Sequence, residues 1–139
     1  MQKLRSVLLV DDDPTNNFLN QRLLKRLEVA DHVAVAENGQ EALNLLQTAG
    51  EAPASVFPAL ILLDIQMPIM NGIEFLQAYQ QLPPAQRNST TVVVLSTSVD
   101  ARDLSRLDDL PAAGRINKPL TPEKIATVLQ LHFERQPLG

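Results

Sequence analysis

Five times along this chain a short apolar run gives way to a stretch whose apolar residues recur at helical spacing, and that alternation limits the fold to a small set. The runs are Ser6–Val10, His32–Ala36, Ala59–Leu63, Thr91–Leu95 and Arg115–Ile116. The stretches that follow them are Thr15–Leu27, Gly39–Ala49, Gly72–Gln81, Ala101–Leu110 and Pro122–Phe133. Runs such as LILL and VVVL are apolar without alternation, the pattern of strands covered on both faces of a parallel sheet. Right-handed crossovers then place helices on both sides of that sheet. The predicted fold is therefore α/β, a five-stranded parallel sheet with helices on both faces. In the first helical stretch, Phe18, Leu19, Leu23, Leu24 and Leu27 are expected to form one apolar face. In the last, Ile125, Val128, Leu129 and Leu131 to Phe133 are expected to do the same.

With 139 residues and 45% hydrophobic content, the chain holds one core of ordinary size. We read 1–139 as a single domain, with a core from about 4 to 133 and a frayed tail, ERQPLG, over 134–139. The segments Glu51–Pro58 and Leu82–Thr90, rich in Pro, Ala and polar residues, read as loops. A net charge of -4 and the absence of any basic run argue against a nucleic-acid partner. There is no cysteine, which rules out disulfides, thiolate metal sites and a cysteine nucleophile. The apolar run in MQKLRSVLLVDDD is too short for a signal sequence or a membrane span, so the expected setting is cytoplasmic, with no membrane partner.

In an open parallel sheet, chemistry gathers at the carboxyl ends of the strands. Those ends carry Asp11, Asp12 and Asp13 after the first strand and Asp64 after the third. Ser96 and Thr97 follow the fourth, and Lys118 the fifth. Each has an ordinary structural reading. Asp13 before Pro14 suits a helix start, a carboxylate cap followed by proline in the first turn, and we assign it that task. Asp64 alone is as much a turn residue as a functional one, Lys118 alone could be solvated, and Ser96 alone could simply end a strand. Asp11 and Asp12 resist this treatment, because a cap needs one carboxylate and adjacent like charges repel. A divalent cation resolves the repulsion, and Mg²⁺ takes one or two carboxylates together with water and phosphate oxygens. Occurrence of all these groups at successive strand ends points to one site.

VLLVDDDP, LILLDIQMPIMNG, VVVLSTS and INKPL, in that order, resemble the four signature segments of the response-regulator receiver domain of two-component signalling. The resemblance runs from about Leu4 to Phe133 and is most similar to stand-alone receivers. It implies a flavodoxin-like, doubly wound fold of strand order 2-1-3-4-5. It also implies that Asp64 is the phosphoacceptor, and that Asp12 binds the metal directly while Asp11 acts largely through metal-bound water. The Gln66 backbone carbonyl and Asp64 itself would complete that metal site. Ser96 matches the switch hydroxyl of the fourth strand and Lys118 the family's lysine. The implied cofactor is Mg²⁺, with Mn²⁺ as a substitute. The implied partner is a histidine kinase or histidine phosphotransfer protein, while the downstream target is not legible. Phosphorylation and dephosphorylation would be self-catalysed, so the chain is not expected to be an enzyme. The Lys118–Pro119 bond is implied to be cis, although sequence alone favours trans.

The resemblance further implies that Ser96 swings toward a phosphorylated Asp64, shifting two pre-existing populations. Most relatives carry an aromatic residue three positions before the lysine; here it is Arg115. We favour a solvated role for Arg115 over an ion pair with Asp108 or Asp109. Gln66 and Ser98, the positions that tune the attacking water in the family, are both uncharged. The fourth and fifth helical stretches, with the strand between them, are implied to form the partner and dimerisation surface, and dimerisation itself stays open. Three competing classes fare worse. A Mg²⁺-dependent phosphohydrolase with an aspartate nucleophile normally carries a second acid two residues on, where this chain has Gln66. A flavin-binding protein would meet three aspartates at its phosphate loop. A receiver-like scaffold that is not phosphorylated usually lacks one of the site residues, and none is lacking here.

Overall fold

A computed structural model describes residues 3–50, 57–96, 110 and 112–133, with backbone only at 49 and 50. Five strands, β1 (Leu4–Val10), β2 (Ala30–Ala36), β3 (Leu60–Asp64), β4 (Thr91–Ser96) and β5 (Gly114–Asn117), form one parallel sheet of order 2-1-3-4-5. The helices are α1 (Pro14–Arg26), α2 (Gly39–Gly50), α3 (Gly72–Tyr79), a single turn α4 (Pro84–Arg87) and α5 (Pro122–His132). The expected helix Ala101–Leu110 lies outside the described residues except for Leu110. Among the described residues no helix is long and apolar enough to cross a membrane.

The unalternating strands are buried on both faces, as their composition requires. Leu8, Val10, Ile61, Leu63, Val92 and Val94 point to one side and pack with residues of α2 and α3, including Ala42, Leu46, Ile73 and Leu76. Val7, Leu9, Leu60, Leu62, Val93 and Leu95 point to the other and meet Leu24 of α1 and Ile125, Val128 and Leu129 of α5. Each fully buried aliphatic side chain contributes about 1.5–3 kcal/mol. At the amino end of the sheet, Arg5 donates from Nε to the Phe57 carbonyl at 2.7 Å and from a terminal nitrogen to the Ser89 carbonyl at 3.0 Å. This ties together the segments that lead into β3 and β4.

Three expectations need correction. The segment Leu82–Thr90 is not all loop, because Pro84 opens the turn α4 at a position where its missing N–H costs nothing. The apolar face expected on α1 does not dock as a unit. Leu24 is fully buried, but Phe18 and Leu19 are each 56% exposed and Leu27 is 38% exposed. Asn17 and Leu24, two turns apart on one line of the helix, face the protein instead, which turns Phe18 and Leu19 outward. On α5, Ile125, Val128 and Leu129 are buried as expected while Leu131 is 72% exposed, because it lies off their line.

Candidate functional site

Four of the five strands, β1, β3, β4 and β5, deliver polar termini to the same rim. Val10 is the last residue of β1, so the chain leaves the sheet at Asp11 and turns at once into α1. Asp13 caps that helix by accepting from the Thr15 N–H at 2.9 Å, with Pro14 in the first turn. This is the structural task read from the sequence. Asp64 is the final residue of β3 and Ser96 of β4, and both are buried. Lys118 follows β5, and its backbone N–H donates to the Ser96 carbonyl at 2.7 Å, fixing where the lysine stem begins. The Lys118–Pro119 peptide is cis.

A cleft of about 430 Å³ opens among these termini, lined by Asp11, Asp12, Asp64, Gln66, Ser96 and Lys118 together with the first turn of α1. Carboxylate oxygens of Asp11, Asp12 and Asp64 lie within 4.8 Å of one another. The Lys118 ammonium reaches in from the side, 2.9 Å from Asp11 Oδ2 and 3.4 Å from Asp64 Oδ2. Among the described residues no basic side chain pairs with Asp12, which stands exposed at the rim. The six residues singled out from the sequence are thus gathered in one cleft. Thr97, Ser98, Asp108 and Asp109 lie outside the described residues. Arg115 is exposed, and the acids weighed as its partners, Asp108 and Asp109, lie outside the described residues.

The electrostatics follow from crowding. Burial pushes the Asp64 carboxyl above its ordinary value; the Lys118 ammonium opposes this, the Asp11 charge adds to it, and Lys118 and Gln66 hydrogen bonds offset part. Burial by itself would lower the Lys118 ammonium, but the Asp11 hydrogen bond and the charges of Asp64 and Asp11 outweigh it, so its proton is held more tightly than usual. Three carboxylates facing one ammonium leave an excess of negative charge. The donors are all oxygen, with no imidazole or thiolate, which is the set a hard divalent cation prefers. The residues present fit Mg²⁺.

Two supporting residues were missed from the sequence. Asn17 in α1 is buried and donates from Nδ2 to the Asp11 carbonyl at 2.8 Å. Lys124 in α5 donates to the carbonyls of Asn117 at 2.8 Å and Pro119 at 3.0 Å, on either side of Lys118. Neither had a signal in the sequence: the apolar residues of α1 pointed to a face without Asn17, and the Lys124 contacts depend on how the turn folds. The loop after Asp64 is shaped by Gly72, whose N–H donates to the Ile65 carbonyl at 2.7 Å. A Cβ at this position would lie 2.5 Å from the Asp64 carbonyl oxygen.

A doubly wound parallel sheet with acids at the ends of β1 and β3 and a lysine after β5 is the arrangement that the receiver resemblance implies. Residues 7–130 match the model of the response regulator receiver domain, and the chain belongs to that family. It is 36% identical over 98 residues to response regulator Rcp1 of Synechocystis, an alignment covering 70% of this chain and 65% of Rcp1. It is 35% identical over 128 residues to the autoinducer 1 sensor kinase/phosphatase LuxN of Vibrio harveyi, covering 89% of this chain and 13% of LuxN. The chain thus spans less than two thirds of the length of either relative. Among solved structures, a two-component response regulator from Cytophaga hutchinsonii superposes with a TM-score of 0.82 at 30% identity, covering 94% of this chain and 97% of the other. The chemotaxis protein CheY4 of Vibrio cholerae gives 0.72 at 28% identity, covering 91% and 96%.

Proposed function

We propose that this receiver, over about residues 4–133, accepts a phosphoryl group on Asp64 from a phosphohistidine of a histidine kinase or phosphotransfer protein and signals by a change of surface. The observation that carries this reading is the placement of a buried carboxylate beside two further acids and an ammonium, in one cleft open to a partner. An Asp64 carboxylate oxygen attacks phosphorus, the bond from phosphorus to the histidine nitrogen breaks, and the imidazole departs with its electron pair. The product is an acyl phosphate, later cleaved by water. Lys118, already 3.4 Å from the acceptor oxygen, is placed to meet the negative charge that arrives with the phosphoryl oxygens. Asp12 and Asp11, with the Gln66 carbonyl, would hold Mg²⁺ or Mn²⁺, which when bound screens the phosphoryl charge and orients its oxygens. Ser96, buried at the end of β4, would supply the hydroxyl that follows the phosphoryl group. A cytoplasmic location, an output protein as target and self-catalysed rather than multiple-substrate turnover belong to the same reading.

Incubation with Mg²⁺ and acetyl phosphate, followed by intact mass, should show a single phosphoryl adduct that is absent from Asp64→Asn and absent when the metal is chelated. No adduct, or an adduct that survives Asp64→Asn, would defeat the assignment.

A further inference from the structure

Asn17 is the anomaly of α1. It lies on the same line of the helix as fully buried Leu24 and is itself 4% exposed, at a position where an apolar side chain would pack without penalty. Its Nδ2 donates to the Asp11 carbonyl at 2.8 Å, while its Oδ1 is buried with no protein donor among the described residues. A buried polar atom left without a partner requires an explanation beyond folding. Asp11 provides one. Its N–H is held by the Ala36 carbonyl at 3.1 Å, its Oδ1 by the Asp13 N–H at 2.9 Å, and its Oδ2 by Lys118 at 2.9 Å. Asn17 holds the remaining polar atom, the carbonyl, which belongs to the peptide joining Asp11 to Asp12. That bond sets the plane that carries the Asp12 Cα, and the Asp13 N–H bond to Asp11 Oδ1 restrains the next peptide plane, so the two together fix the direction in which the Asp12 side chain leaves the backbone. Asp12 needs this outside help, because no basic side chain among the described residues pairs with it.

We infer that Asn17 is a positioning residue for the metal site: it acts through the Asp11 carbonyl to hold Asp12 in the orientation that binds a divalent cation. The inference rests on the metal-dependent reading above. Supporting groups behind metal ligands typically contribute about 10–100-fold in affinity. The cost to the fold is a buried Asn17 oxygen with no donor among the described residues, set against the bond that the same amide makes to the Asp11 carbonyl.

The chain has no tryptophan, so Mg²⁺ affinity is best measured by calorimetric titration, with Mn²⁺ electron paramagnetic resonance as a second probe. Asn17→Leu, of the same branched outline and unable to donate, should weaken Mg²⁺ binding by about tenfold while the metal-free melting temperature stays level or rises. Asn17→Ser keeps a donor and should retain more affinity than Asn17→Leu; it also serves if the leucine variant does not fold. An Asn17 that merely supports the fold predicts the opposite split, a lower metal-free melting temperature with affinity unchanged. Mg²⁺ affinity within twofold of the parent in both variants overturns the inference. If the parent protein itself binds no Mg²⁺, the metal-dependent reading fails first, and the two failures are thereby told apart.

Discussion

At the scale of single residues, the site is a place where charge is held at a cost to the fold. Asp64 takes up its proton more readily folded than unfolded, so its contribution to stability is fully present below the ordinary carboxylate value of 3.8 and is lost as pH rises through the raised folded value. Near neutral pH the ionised acceptor therefore works against folding. Asp64→Asn should raise the metal-free melting temperature at neutral pH and flatten the acid side of the stability profile, measured by thermal melts over a pH series. An unchanged profile would mean that Asp64 is better solvated than its burial indicates. The same crowding was legible in the row of three aspartates. That row divides where Pro14 marks a helix start, with Asp13 spent on a helix cap and Asp11 and Asp12 facing the cleft. Asn17 was overlooked because its value lies in a carbonyl it restrains, and a backbone atom has no signature in a sequence.

At the scale of elements, apolar runs ending in polar residues marked the strands and their functional ends within a residue or two. That succeeds because buried parallel strands tolerate little polar substitution until they leave the sheet. Helix orientation was harder to read. Phe18, Leu19 and Leu27 are as apolar as a core face, yet they stay exposed while Leu23 is partly buried and the helix docks on the line through Asn17 and Leu24. The outward stripe begins one turn from the cleft, and Arg22 lies 5.7 Å from the centroid of the Phe18 ring. If a phosphodonor docks over the cleft from this side, exposed Phe18 and Leu19 lie in its path. Leu19→Asp should slow transfer from a protein phosphohistidine about tenfold, equivalent to about 1.4 kcal/mol of docking energy, and leave the rate with acetyl phosphate unchanged. Equal slowing with both donors would place the effect in the site. The loop between β3 and α3 carries a second prediction. Gly72→Ala would press a methyl group against the Asp64 carbonyl and the Ile65 Cα, both of them backbone, and should cost about 1–3 kcal/mol by denaturant titration. Cost near zero would show that the loop yields.

At the scale of the whole molecule, binding and stability are linked through the cleft. If Asp11, Asp12 and Asp64 hold a divalent cation, Mg²⁺ at about 100 times its dissociation constant should stabilise the fold by about 2.7 kcal/mol, a rise in melting temperature on the order of 10 °C, reversed by chelation. A melting curve indifferent to Mg²⁺ would speak against a metal at this rim. The ion pair between Lys118 and Asp11 joins residues 107 positions apart in the chain. During synthesis the acids emerge early and the ammonium only after almost the whole sheet has been made. A nascent or truncated chain can therefore present the acids but not the ammonium that offsets part of their charge. Under the phosphotransfer reading the site doubles as a check on completion, because a chain whose last strand has not joined the sheet lacks the ammonium beside Asp64.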